Sequence, residues 1–121
     1  QLVKLPESAM RFLIPSFLFF TLCGSIAHAS CVLPLPPQQF PDGAIADAEA
    51  MEFAKRRVER YFDNSLRYIK CLDTIDKTAI GTGRDNEERK RKRINSYNVG
   101  LENIAMVLAE YEESVRQFNS R

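Results

Sequence analysis

From Met51 to Ala79, apolar or small residues recur at alternating steps of three and four: Met51, Ala54, Val58, Tyr61, Ser65, Tyr68, Leu72, Ile75 and Ala79. A helix turns once in about 3.6 residues, so this spacing gathers them on one stripe, the a and d positions of a heptad. So long a stripe needs an equally long partner. Ile94, Tyr97, Leu101, Ile104, Leu108, Tyr111, Val115 and Phe118 repeat the alternation and supply one. Gly81-Thr82-Gly83 separates the two runs. A short connection between long amphipathic helices makes them antiparallel neighbours. The expected fold is all-α: an antiparallel two-helix hairpin with coiled-coil-like packing over residues 47–121.

Local signals set the expected ends. Asp47 is a good N-cap, with Glu49 in the first turn. Gly81 is the expected C-cap glycine. Asp85 is the expected start of the second helix, with Glu88 completing an acidic capping box. Glu87 and Lys90 occupy seam positions but are polar, so the first two turns of that helix should be solvated.

Phe62, Leu66 and Ile69 form a second stripe beside the first seam, and Phe53 lies on another face. One partner helix cannot cover them all. The stripe Phe62, Leu66, Ile69 is therefore a candidate interaction surface. Its two candidate covers are the segment before the helix and a second copy of the protein.

That preceding segment, residues 30–46, contains Pro34, Pro36, Pro37 and Pro41, with Val32, Leu33, Leu35 and Phe40 between them. Prolines at this density exclude helix and favour an extended path. Pro41-Asp42-Gly43 reads as a turn.

Ahead of it stands an export signal, residues 10–29. Met10 and Arg11 are followed by an apolar run from Phe12 to Leu22, then small residues ending in Ala27-His28-Ala29. Small-x-small is what a signal peptidase accepts, so cleavage is expected between Ala29 and Ser30. The run is shorter than the ~20 residues of a spanning helix. Residues 1–9 read as upstream sequence or a misplaced start. A lipoprotein signal is the rival: Cys31 follows Ala29-Ser30, though His28 stands where Leu is expected. A lipidated Cys31 would anchor the chain to a membrane.

Cleavage would remove Cys23 and His28 and leave Cys31 and Cys71. Two cysteines in an exported protein read as a disulfide. From Asp47 to Cys71 a helix climbs about 36 Å, and the extended residues from Cys31 to Asp47 span about 50 Å. The Pro-rich segment can therefore run back along the first helix to Cys71, laying Val32, Leu33 and Leu35 near its upper part.

These features resemble a group of small, mostly uncharacterised exported proteobacterial proteins. The shared features are an early Cys, a Pro-rich stretch, a Pro-Asp-Gly turn, a helix like Met51 to Cys71-Leu72-Asp73, a Tyr97-Asn98 pair, and Phe118 followed closely by Arg121. The likeness would cover most of residues 31–121. It implies export, periplasmic or secreted, and the cysteine pair; it implies no activity. The run Arg89-Lys90-Arg91-Lys92-Arg93 is foreign to that group.

Five consecutive helical residues point all around the axis, so that basic run makes no single face. Glu88 with Lys92 and Glu87 with Arg91 are favourable i,i+4 pairs. A solvated helix end is the plainer reading; contact of Arg89, Lys90, Arg91, Lys92 and Arg93 with an anionic envelope component is the alternative. The formal net charge of +1 gives no field favouring nucleic acid.

Tyr61, Tyr68, Tyr97 and Tyr111 all fall at d positions and read as core. Asp73 with Asp76, and Glu112 with Glu113, are paired carboxylates, but two helices offer no cleft for acid–base work. Gly81-x-Gly83 is a weak anion signal with Asp85 beside it. A mature chain without His has neither a base for a nucleophile nor a Cys/His metal site. The expectation is a non-enzymatic protein without cofactor or membrane span, acting by protein interaction or self-association. A small enzyme is the lesser alternative.

Overall fold

Asp47 has extended backbone, and its side chain accepts a hydrogen bond from the Ala50 amide at 2.8 Å. This satisfies one of the donors that every helix start leaves bare. From that cap α1 runs Ala48–Thr82, in a computed structural model that describes residues 30–121. The expected signal segment 10–29 and residues 1–9, with Cys23 and His28, lie outside the described residues.

α1 passes through Gly81 and ends two residues later than expected. Gly83 takes the left-handed conformation at φ 64°, and its N–H donates to the Ile80 carbonyl at 3.2 Å. A glycine inside a helix only weakens it, whereas a left-handed cap needs one. α2 spans Glu87–Asn119 and packs antiparallel against α1; among the described residues there is no strand. Its cap is Asn86, which accepts from the Arg89 amide at 2.9 Å. The expected capping box from Asp85 to Glu88 does not form, because Arg93 holds the Asp85 carboxylate.

The α1 seam is buried as its spacing predicts: Met51, Ala54, Val58, Tyr61, Ser65, Tyr68 and Leu72. The α2 seam is not. Gly100, Val107 and Ser114 are buried there, with Arg93, Ser96, Ile104, Tyr111 and Phe118 partly so. Ile94, Tyr97, Leu101 and Leu108, expected inside, stand exposed. Ile104, Tyr111 and Phe118 keep their inward places while Gly100, Val107 and Ser114 replace Leu101, Leu108 and Val115, so α2 is rolled by roughly 60°. The cause is volume. Tyr68 of α1 fills the space between the helices at its level, so α2 must present Ser96 and Gly100 to it, whereas Tyr61 meets Val107, Ile104 and Tyr111. A Cβ on Gly100 would sit 3.0 Å from the Tyr68 ring, and the Tyr68 hydroxyl donates to the Ser96 carbonyl at 3.3 Å.

Residues 30–41 run back along α1 as a strap without helix or strand, joined to it by the Cys31–Cys71 disulfide. Its inward residues are Pro34, Pro36, Pro37 and Phe40; Val32 and Leu35 lie along α1 as expected but leave most of their surface exposed. The strap lies over Arg57, Arg60, Asn64 and Arg67, and Arg57 donates to the Gln38 carbonyl at 2.8 Å. Gln39 bends the chain at φ 60°, and Phe40 packs on Val58, Tyr61 and Val107, with its ring 6.1 Å from that of Tyr111. Asp42 then closes the predicted turn, its carboxylate accepting from the Ala44 amide and its carbonyl from Ala46. Gly43 presses on α2 so closely that a Cβ would overlap the Ser114 carbonyl. Ser114 Oγ donates to the Pro41 carbonyl.

Candidate functional site: an open apolar face

The strap covers one flank of the hairpin. Phe62, Leu66 and Ile69 lie across the buried seam from it, so the Pro-rich cover considered for this stripe sits on the opposite side of α1. Helical spacing sets the two flanks apart: Arg57, Asn64 and Cys71 recur every seven residues on one, and Phe62 and Ile69 on the other.

The shifted seam of α2 enlarges this open face. Ile94, Tyr97, Leu101 and Leu108 leave the interior and align beside the α1 stripe. Helical rotation and a shared cleft place both stripes on the same side. On each helix the open residues lie about a quarter turn past the buried seam in the direction of chain travel, which in an antiparallel pair puts them on one face. Nearer the loop, Leu72, Asp73 and Asp76 of α1 line one cleft with Arg93, Ile94 and Tyr97 of α2. Leu66, Ile94, Tyr97, Leu101 and Leu108 are between 39% and 66% exposed, whereas Phe62 and Ile69 are half-buried at its floor. Isolated exposed apolar residues are ordinary; a stripe from each of two adjoining helices forms a patch.

An ion cluster borders the patch at the loop end. Arg93 lies across the helix junction, its guanidinium donating twice to Asp85, at 2.9 and 2.6 Å, and once to Asp76 of α1 at 2.9 Å. Its side chain is only 13% exposed. The Arg93 hydrogen bonds hold the Asp85 carboxyl below its ordinary range, and the same bonds raise Arg93. Sequence reasoning placed Arg93 in the basic run and missed this role. A signal was present: Arg93, Gly100, Val107 and Ser114 recur every seven residues.

The rest of the basic run is divided. Lys92 pairs with Glu88 at 2.9 Å, and Arg89 donates to the Arg84 carbonyl. Lys90 and Arg91 are exposed and have no ion-pair partner among the described residues. The five residues therefore do not form one basic surface. Of the carboxylate pairs, Asp76 binds Arg93, Asp73 binds Lys77 at 2.8 Å, and Glu113 binds Arg116. Tyr61 and Tyr68 are core as expected, but Tyr97 belongs to the open face and Tyr111 is only half-buried. Among the described residues no His/Cys/Asp/Glu group could hold a metal ion, and no helix is long and apolar enough to cross a membrane. No family model, no curated protein and no solved structure matches this chain.

Proposed function

We propose that the chain is an exported, non-enzymatic helical protein that acts by binding a macromolecule through the open face. The observation that carries this reading is the two-sidedness of the hairpin. One flank is covered by the strap and fastened by Cys31–Cys71, while the other exposes apolar side chains from both helices. Export rests on the Phe12–Leu22 run and Ala27-His28-Ala29, and the cysteine pair agrees with it. The carboxylates nearest the patch are engaged in ion pairs, which favours contact over chemistry there.

A photo-cross-linking residue placed at Leu101 tests this in the exporting cell, with the same residue at Arg60 on the strap side as control. Adducts of defined mass, to this chain or another, should form from position 101 and not from position 60. Equal labelling at both, or none at either, removes the reading.

A further inference from the structure

We propose that two copies of this chain pair through their open faces as an antiparallel four-helix bundle. The two-fold axis would cross the helices at the level of Leu101 and of Leu66–Ile69. This deepens the binding role proposed above and rests on it.

A two-fold contact must superpose each stripe on its own reverse. On α2 the reflection about Leu101 sets Ile94 against Leu108 of the second copy and Leu101 against itself. On α1 the exposed Leu66 would meet Ile69, while half-buried Phe62 falls at the level of Asp73 of the second copy, outside the superposed pair. One axis can serve both helices only if these centres lie at one height. The Tyr68 ring rests on Gly100, which places the Leu66–Ile69 turn beside Leu101. The Leu66–Ile69 pair and Leu101 therefore lie at one height.

Charge follows the same reflection. On α2 the acidic first turn, Glu87 and Glu88, is followed by the cations of Arg89 to Arg93, and from Ile94 to Val115 the charged residues are all acidic: Glu102, Glu110, Glu112 and Glu113. Reversal about Leu101 sets exposed Lys90 against exposed Glu112 of the second copy. A parallel pairing would set like against like. Along the outer rim of α1, the axis brings Glu59 near Lys77 and Asp63 near Lys70. The face from Lys90 to Glu112 runs about 33 Å along α2 and about 20 Å across the two helices, roughly 660 Å² per copy, at the lower end of what specific dimers bury. Paired hairpins of this kind bury their stripes as bundle cores do.

Sedimentation of the oxidised protein at about 100 μM, far above a micromolar dissociation constant, reads the result. A dimer is expected, and Leu101→Asp should return a monomer with unchanged helical circular dichroism, because Leu101 is exposed within one hairpin. Lys90→Glu and Glu112→Lys should each weaken association about tenfold, and combining them should restore it. Within one chain these residues stand about 33 Å apart along α2, so rescue can arise only between copies. Leu101→Cys should cross-link to itself, which an axis parallel to the helices would not allow. A wild-type monomer overturns the pairing, as does a dimer without charge rescue or one that ignores Leu101→Asp. Should the protein be monomeric yet cross-link to another protein from position 101 in cells, binding stands and self-pairing falls. If it does neither, both fall.

Discussion

Tyr68 packs against Gly100 so closely that a single added carbon on Gly100 would sit 3.0 Å from its ring. This contact fixes the height and roll of α2 on α1. It buries the small side of α2 and turns Ile94, Tyr97, Leu101 and Leu108 outward.

Gly100→Leu should therefore destabilise the hairpin by about 2 kcal/mol, within the range for overpacking a filled site. Helix propensity favours leucine over glycine, so a loss measured by urea unfolding would report the clash alone. An unchanged or raised midpoint would show that Tyr68 can swing away and that the contact does not set the roll.

Leu72 and Leu101 separate the two seams. Leu72→Ala should cost about 2–5 kcal/mol, because its side chain is buried beside Tyr68. Leu101→Ala should cost less than about 1 kcal/mol in dilute protein, where it faces solvent. Paired urea melts at low protein concentration check this. Equal losses would place Leu101 back inside a single hairpin.

The legibility of the chain follows from which residues are large. In α1 the bulky side chains point inward, so their spacing alone located Met51 to Leu72 in the core. In α2 the buried positions are Gly100, Val107 and Ser114, with Arg93 and Ser96 beside them; only Val107 carries an apolar side chain, so hydrophobic periodicity does not register that edge of the seam. Of the large residues of α2, Val107, Ile104 and Tyr111 pack on the core, while Ile94, Tyr97, Leu101 and Leu108 mark the open face. The disulfide was readable from the two cysteines that the expected cleavage leaves, and the direction of the strap from chain length and helix rise. Which flank the strap takes was not, because that depends on Phe40 entering beside Tyr111 and on Gly43 meeting Ser114. Arg93 was hidden among four other cations, since partners from another helix leave no local trace in sequence.

The disulfide fastens the strap at the end farthest from Phe40. It closes a loop across 40 residues. Reducing it should lower stability by roughly 2–4 kcal/mol through the added freedom of the unfolded chain. Because the strap covers the Arg57–Cys71 flank, its release should raise protease cleavage between Cys31 and Gln38 without altering labelling at Leu66 or Leu101. Limited proteolysis with mass detection, before and after reduction, distinguishes the flanks. New labelling at Leu66 on reduction would put the strap on the wrong side of α1.

Acid should loosen the junction at Asp85. The Arg93 hydrogen bonds favour the ionised carboxylate, so the folded value lies below the ordinary one of 3.8. A carboxyl depressed in the folded state contributes stability that is full above its unfolded value, and that stability disappears as pH falls through the folded one. Asp85→Asn removes the charge and should lower the melting temperature at pH about 7. The gap between the two proteins should then narrow below about pH 4, as Asp85 takes up a proton in the parent chain. Glu113, held down in the same way by Arg116, titrates in both proteins and cancels from the comparison. Melting curves of the pair between about pH 7 and pH 2 decide the point. A gap of constant size would mean that Arg93 gives Asp85 no preference for its charged form, and that Asp76 alone holds the guanidinium across the two helices.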